Sequence, residues 1–361
     1  MLPARMARAS APRWLSSLLP LGLVLAAIVL LLNGISFLFG AAPWETLRSA
    51  FTGTWGTPYG IGQVLFKATP LILTGLAFEV GVRAGLFNIG AEGQLAAASL
   101  AGGIVGAYLP EGTPALVAVV ACLGASVITG ALVAAIPALM KARLGVHEII
   151  STIMLNRIVD VVVPFILVGL LGMTALRTPA LVPGASLPRL SGLFGALEGS
   201  AASLAFPLAV VIAFAVHAFL IRSRAGREMR WTGLNAEACR AEGIDVSKRL
   251  IQALVLSGAL AGAAMIATVL GYKGYYELGL GAGAGFTGVA VALLGRGNPL
   301  GMVLAAILFG TLEQAGLAIN ARVPKEAMDV LTAAAIVLVS MAHRAPRLRV
   351  VTESEPEAPT P

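Results

Sequence analysis

The chain has 361 residues, of which 58% are hydrophobic and only 12% are charged. An average soluble domain is about 45–50% apolar and about 25% charged, so this composition excludes an ordinary soluble protein and predicts a chain embedded in lipid. The formal net charge is +7, but the basic residues stand in short clusters between apolar runs. Such clusters are typical of cytoplasmic membrane loops, and they argue against a nucleic-acid partner.

Apolar runs along the chain predict membrane-spanning helices, because a helix of about 20 apolar residues satisfies its own backbone hydrogen bonds in lipid. We therefore predict an all-α, polytopic membrane helix bundle of about ten transmembrane helices. The bundle takes up residues 15–343, between a cytoplasmic N-terminus at 1–14 and a disordered cytoplasmic tail at 344–361. The predicted spans are residues 15–39, 61–82, 86–109, 113–140, 148–172, 203–221, 250–271, 280–295, 299–318 and 327–342.

The distribution of Lys and Arg predicts how the bundle is oriented. With the N-terminus in the cytoplasm and alternating spans, most basic residues fall in inside segments, and seven of them lie between Arg222 and Arg249. Cytoplasmic loops carry an excess of Lys and Arg, so both termini are predicted to be cytoplasmic. The long outside stretches 40–60 and 173–202 either contact an external partner or simply connect helices.

A short internal similarity is compatible with an inverted repeat. Residues 79–85 (EVGVRAG) resemble residues 277–283 (ELGLGAG), and the two segments lie at opposite ends of their predicted spans. Paired Gly-interrupted segments of opposite orientation are typical of repeats around a central site. A seven-residue match in a Gly-rich chain also arises by chance, so both explanations stay open.

Polar residues at the start of the third span form the first candidate site. Residues 85–94 (GLFNIGAEGQ) contain three glycines together with Phe87, Asn88, Glu92 and Gln94. Polar side chains at membrane depth are costly unless they face a cavity or a partner helix. We interpret the segment as a broken helix start that lines the substrate pathway, and the alternative is a polar turn in a cytoplasmic loop.

A polar stripe on the fifth span forms the second candidate site. Glu148, Thr152, Asn156 and Asp160 recur every four residues, which predicts that they share one helix face. Arg157 stands three residues before Asp160 and can pair with it. A polar stripe on an apolar helix is turned away from lipid, where it either lines a pathway or forms hydrogen bonds to other helices.

The inside segment 222–249 is predicted to hold a short helix that contacts a partner. Asn235 is a helix N-cap residue, Glu237 lies in the first turn and Gly243 follows the end. A helix of about two turns is not stable alone, so it needs either a groove on a cytoplasmic motor subunit or the lipid headgroups. The residues assigned to this coupling contact are Asn235, Ala236, Glu237, Ala238, Arg240, Gly243 and Asp245.

The chain has no phosphate-binding loop of the G-x-x-x-x-G-K type, because none of its lysines follows a glycine. Either a partner hydrolyses ATP or an ion gradient drives transport. Glu313 in the ninth span is a pathway candidate; as a proton relay it would favour an ion gradient, but it is also compatible with a structural role. The isolated His and Cys residues predict no metal or other cofactor, and no enzyme.

Six segments of the chain carry a resemblance to a known family: residues 69–77 (TPLILTGLA), 85–94 (GLFNIGAEGQ), 148–156 (EIISTIMLN), 243–245 (GID), 285–294 (GFTGVAVALL) and 297–299 (GNP). They resemble the permease subunits of nucleoside ABC importers, within the branched-chain amino acid and simple-sugar ABC permease family. The resemblance covers about residues 60–340.

This resemblance implies a multi-pass permease subunit of the bacterial inner (plasma) membrane that takes up nucleosides. It also implies four further parts of the transporter: two ATP-binding ABC subunits, a second homologous permease and an external solute-binding lipoprotein. The region around residues 235–245 would contact the ATPase. Simple sugars such as ribose are the alternative substrates, and an ion-coupled secondary transporter is the alternative mechanism.

Overall fold

The computed structural model describes residues 13–344, and this part of the chain is helical, with only two isolated β-bridges. The all-α prediction is therefore confirmed, whereas the predictions for residues 1–12 and 345–361 lie outside the described residues. The helices are α1 Arg13–Leu38, α2 Pro43–Thr54, α3 Pro58–Arg83, α4 Ala91–Tyr108, α5 Ala115–Leu144, α6 Glu148–Phe165, α7 Ser191–Phe194, α8 Ala205–Arg222, α9 Arg224–Leu234, α10 Ala236–Ala241, α11 Val246–Ala263, α12 Ala284–Gly295, α13 Pro299–Ile319 and α14 Lys325–Arg344.

Each of the ten predicted spans contains a helix, but the helices differ in length. A π-helical segment, Ile166–Leu170, continues α6, and a second one, Ile266–Lys273, follows α11 in the chain. Within the described residues, α3, α5, α6, α8, α11 and α13 are long and apolar enough to cross a membrane. By contrast α12 has 12 residues, or about 18 Å at 1.5 Å per residue, so it begins inside the bundle. A total of ten spans stays a prediction.

Two helices occupy segments that the sequence assigned to loops. Helix α2 lies within the outside stretch 40–60, and α9 precedes the short helix foreseen in segment 222–249. Neither helix is an apolar run: α2 mixes aromatic side chains with hydroxyl groups, and α9 carries several arginines. A search for long apolar runs therefore missed both.

Helices α2 and α9 lie at opposite ends of the bundle. Gln314, near the C-terminal end of α13, donates a 3.3 Å hydrogen bond to the Gly53 carbonyl of α2. At the other end of α13, Arg296 and Gly297 line a cleft together with Gly233 of α9. The basic residues of α9 thus mark the end opposite to α2, in agreement with a cytoplasmic α9.

The packing of the helices supports the inverted repeat. Helix α4 packs against α5 and α6, as α12 packs against α13 and α14, and α3 contacts α13 as α11 contacts α5. In chain order, each half contains a first helix (α1 or α8), an amphipathic helix (α2 or α9), a long central helix (α3 or α11) and then a shorter helix (α4 or α12). Because the amphipathic helices α2 and α9 lie at opposite ends, the two halves run in opposite directions.

Small residues set the distance between the most closely packed helices, α5 and α11. A β-carbon at Gly130 of α5 would overlap the Gly258 carbonyl, and one at Gly258 would overlap Ala134. Gly262 fits against the backbone of Ser126 in the same way. Small residues allow such close approach of helices in membranes, so this contact fixes the position of α11, which carries Ser257 into the centre of the bundle.

We predict that Gly130→Ala destabilises the protein, whereas Gly124→Ala on the same helix does not. The added methyl group at Gly130 meets backbone atoms, and such overpacking costs about 1–3 kcal/mol. Gly124 has no neighbour within 4 Å of the added carbon, and Ala favours a helix over Gly. Thermal unfolding in detergent measures the difference, and equal midpoints for the two variants would contradict this packing.

Candidate transport pathway and coupling site

Asn88 and Gln94 form a closed hydrogen-bond network in the centre of the bundle. Both side chains are fully buried. Asn88 Nδ2 donates to Gln94 Oε1 (2.8 Å) and to Ser257 Oγ (2.7 Å), while Asn88 Oδ1 accepts from Gln94 Nε2 (3.1 Å). Ser257 in turn donates to the Ala77 carbonyl. The network joins α3, α4 and α11, and the polar groups of its side chains form hydrogen bonds with one another.

Asn156 holds the start of α4 from the neighbouring helix α6. Its Oδ1 accepts a 3.0 Å hydrogen bond from the Gly93 amide, and its Nδ2 donates at 3.0 Å to the Ile89 carbonyl. The first amides of a helix have no partner within the helix, so Asn156 supplies one from outside. Thr152, one turn earlier, is buried and donates to the Glu148 carbonyl within its own helix at 2.7 Å.

The polar stripe of α6 passes from buried to exposed along the helix. Glu148, Thr152 and Asn156 are buried, and Lys141 pairs with Glu148 at 2.8 Å, whereas the Asp160 side chain is 55% exposed. A step of four residues turns the helix by about 400°, so four-residue spacing drifts by about 40° each time. Three steps move Asp160 about 120° away from Glu148, to the edge of the stripe, where it lines a cavity with Glu92 of α4.

Glu92 joins the two halves of the bundle. Its carboxylate accepts hydrogen bonds from the Gly283 amide (2.6 Å) and the Gly285 amide (2.8 Å), at the N-terminus of α12. A carboxylate is favourable there because a helix N-terminus carries partial positive charge and unpaired amides. Glu92 thus holds the start of α12 against α4.

Two cavities lie on either side of the central loop, residues 274–283. The Lys67–Glu313 cavity measures about 390 Å³ and lies among α3, α12, α13 and α14. The Glu92–Asp160 cavity measures about 280 Å³ and lies between α4, α6 and the loop. Residues 279–282 line both, so the loop separates them.

Of the eight predicted pathway residues, the structure brings only Glu92 and Glu313 to these cavities. Phe87 is 45% exposed and packs its ring edge against Phe78, with ring centroids 5.9 Å apart. Sequence reasoning missed Lys67, although a lone lysine inside an apolar run is a usable signal, because charge within a span is costly. Contact of any of these residues with solute stays a prediction.

The short helix α10 has the caps that the sequence predicted. Asn235 Oδ1 accepts from the Glu237 and Ala238 amides, each at 3.0 Å. Gly243 has φ of +75° after the helix end, and Asp245 caps α11 through the Lys248 amide at 2.9 Å. Helix α10 packs on α9 and α11, so both neighbours support a helix that would not form alone.

Glu228 connects α9 to α11. Its carboxylate accepts hydrogen bonds from Arg224 Nε and Arg249 Nε, both at 2.7 Å. These bonds from Arg224 and Arg249 lower the pKa of the Glu228 carboxyl, so its charged form is favoured at neutral pH. The pair Arg249–Glu228 ties the basic segment to the first turn of the long helix α11.

Helix α9 rests directly on the turn that follows α3. A β-carbon at Gly233 would overlap the Arg83 carbonyl and the Gly85 amide, and Gly85 itself has φ of +78°. Beside this contact, α9 and α10 form a groove of about 600 Å³, here called the coupling groove, which includes Trp231, Leu234 and Ala238. Leu234 is 83% exposed and Trp231 49% exposed, so the groove presents apolar side chains at the basic end.

The model of the branched-chain amino acid transport system permease component matches residues 60–340. The chain belongs to this permease family. It is therefore a multi-pass inner-membrane permease of the ABC transporter class, and it is a transport subunit rather than an enzyme. No solved structure matches the permease.

Curated relatives match the permease over most of its length. It is 35% identical to the guanosine ABC transporter permease NupP of Bacillus subtilis, over 90% of this chain and 91% of the relative. It is 31% identical to the glucose ABC transporter permease TsgB13 of Haloferax volcanii, over 95% and 92%. It is 30% identical to the nucleoside ABC transporter permease NupB of Lactococcus lactis, over 89% and 88%.

We predict that Glu92→Ala loosens the N-terminus of α12. Without the carboxylate, the part-buried hydrogen bond of the Gly285 amide is lost, which costs about 1–3 kcal/mol, and the exposed Gly283 amide loses its partner as well. Hydrogen–deuterium exchange of a peptide covering residues 277–286 in the purified permease should speed up by roughly tenfold or more.

Glu111→Ala is the matched control, because Glu111 is exposed in the loop between α4 and α5. Unchanged exchange at residues 277–286 in a folded Glu92→Ala protein would mean that the carboxylate does not hold α12.

Proposed function

We propose that the permease is the transmembrane subunit of an ABC importer that takes up nucleosides. The observation that carries this proposal is similarity along about nine-tenths of the chain to a guanosine permease and to a nucleoside permease. Simple sugars are the second candidate substrates, because a glucose permease is nearly as similar. The family membership argues against an ion-coupled secondary transporter.

Transport is energised by ATP that a separate ABC subunit binds and hydrolyses. The chain has no phosphate-binding loop of its own. The coupling groove at the basic end offers that subunit an exposed apolar contact in Trp231 and Leu234, next to Asn235, Ala236, Glu237, Ala238 and Arg240. Gly243 and Asp245 contribute by ending α10 and starting α11.

A second, homologous permease covers the exposed face of α6. Arg157 and Asp160 lie near the middle of the span Glu148–Leu170, and their side chains are 78% and 55% exposed. Charged side chains at that depth are costly in lipid. Asp160 lines the Glu92–Asp160 cavity, so the exposure of Arg157, which pairs with Asp160 at 3.4 Å, is the observation that supports a partner subunit against this face of α6.

An external solute-binding lipoprotein delivers the substrate to the end of the bundle opposite α9. Helix α2 and the stretch 173–202 offer it a surface, and α2 exposes Trp44 and Phe51. Solute then passes the cavities that Glu313 and Glu92 line, while Asn88, Gln94 and Asn156 hold the helices around them.

Uptake by the complete transporter tests the substrate. Cells that lack their own nucleoside uptake, supplied with the permease and its partner subunits, should accumulate radiolabelled guanosine, and unlabelled nucleosides but not glucose should compete. Vanadate, which blocks ABC ATPases, should stop uptake. Competition by glucose but by no nucleoside would favour simple sugars as the substrates. Uptake by the isolated chain, driven by a proton gradient, would overturn the ABC proposal.

We predict that Leu234→Asp impairs coupling without unfolding the protein. Leu234 is 83% exposed in this chain, so the substitution costs little stability, but it puts a charge into an apolar contact with the ATPase. We expect uptake to fall at least tenfold, in line with the loss of about 2 kcal/mol or more at an interface centre.

Leu144→Asp is the control, because Leu144 is 72% exposed at the end of α5, outside the coupling groove. Uptake and ATPase activity are measured for both variants in reconstituted vesicles. Full activity of Leu234→Asp would exclude the groove as the coupling contact.

A further inference from the structure

The Lys67–Glu313 cavity has the size and position of an entry site for solute. At about 390 Å³ it falls within the range of about 300–1,000 Å³ that is usual for small-molecule sites. Phe66 and Lys67 lie in the first half of α3, Glu313 lies near the C-terminal end of α13, and Asp329 lies in the second turn of α14. These positions put the cavity in the half of the bundle next to α2, opposite the coupling groove.

Two aromatic rings line one side of this cavity. The Phe66 and Tyr272 ring centroids are 5.0 Å apart, and the ring planes are inclined at 52°. Lys273 Nζ also lies 5.8 Å from the Tyr272 ring centroid, and the Tyr272 side chain keeps 40% of its surface exposed beside these two contacts. Every nucleobase offers a flat π-face that stacks on such rings.

Charged and hydroxyl groups also line this cavity. Lys67 and Glu313 form an ion pair there, with Lys67 Nζ 3.8 Å from Glu313 Oε2. Asp329 is exposed toward the cavity region, and the Thr332 hydroxyl donates to the Met328 carbonyl at 3.0 Å. The carboxylates can accept hydrogen bonds from sugar hydroxyls, and the ammonium can donate one.

The charge of the cavity distinguishes between related solutes. Two carboxylates, Glu313 and Asp329, face a single ammonium, Lys67. A phosphate group would add negative charge beside both carboxylates, which is unfavourable in a partly enclosed site. The cavity therefore favours a neutral nucleoside and disfavours a nucleotide.

We propose that the Lys67–Glu313 cavity is a nucleoside-binding site within a single permease subunit. The base lies against Phe66 and Tyr272, and the ribose hydroxyls point toward Glu313 and Asp329. The central loop forms its inner boundary, so a bound nucleoside waits there before the route toward the Glu92–Asp160 cavity opens. This inference rests on the proposed nucleoside import and adds the place and chemistry of recognition.

Photolabelling of the unmodified transporter tests the site directly. The complete transporter in membrane vesicles is illuminated with 8-azidoguanosine, and labelled peptides are identified by mass spectrometry. We expect label on the peptides that contain Phe66 or Tyr272, with competition by guanosine but not by guanosine monophosphate or glucose. Label confined to other segments, or competition by the nucleotide or the sugar, would overturn the proposal.

Variants give a second, kinetic measurement. Phe66→Ala and Glu313→Gln should each raise the KM for guanosine uptake about tenfold, the size expected from losing one stacking or charge-assisted contact. Phe66→Tyr keeps an aromatic ring and should leave the KM at its wild-type value. Phe214→Ala is the control, because Phe214 is exposed on α8 and does not line the cavity.

The two proposals fail in different ways. If the wild-type transporter takes up no nucleoside, the proposed function is wrong. The proposed function stands and this site is wrong if the wild-type transporter takes up guanosine normally but is photolabelled elsewhere. The same conclusion follows if Phe66→Ala and Glu313→Gln keep the wild-type KM.

Discussion

The bundle depends on backbone amides at helix starts that receive a side-chain partner from another helix. The first amides of α4 and α12 have no partner within their own helix. Asn156 of α6 meets the Gly93 amide of α4, and Glu92 of α4 meets the Gly283 and Gly285 amides of α12. These contacts link α6 to α4 and α4 to α12. In each half, a helix start is thus capped by a side chain from another helix.

The same region connects the two ends of the molecule. Gly233 of α9 touches the turn at Gly85, and three residues later Asn88 holds α3, α4 and α11 together through Gln94 and Ser257. A displacement of α9 must therefore move this turn, since glycine contacts leave no side chain to absorb the shift. A contiguous path of rigid contacts runs from the coupling groove to the start of α4, which carries Glu92.

Much of the fold could be read from the sequence, because lipid imposes long apolar runs. The caps of α10 were also predictable, since Asn235 and Gly243 act locally. Helices α2 and α9 were missed because each is stable only against its neighbours and neither is an apolar run. The burial of Glu148 and the exposure of Asp160 depend on helix drift and packing, which spacing alone does not give. The pairing of Glu92 with residues 191 and 193 positions away has no local signal at all.

The central loop alternates glycines whose φ angles are strongly positive, at Gly279, Gly281 and Gly283. Residues other than glycine are strained in that conformation, so these three positions of the boundary carry no side chain. Any side chain that contacts a molecule in the Lys67–Glu313 cavity must then come from Leu280 and Ala282 of the loop or from the surrounding helices, at positions such as Phe66, Tyr272 and Asp329.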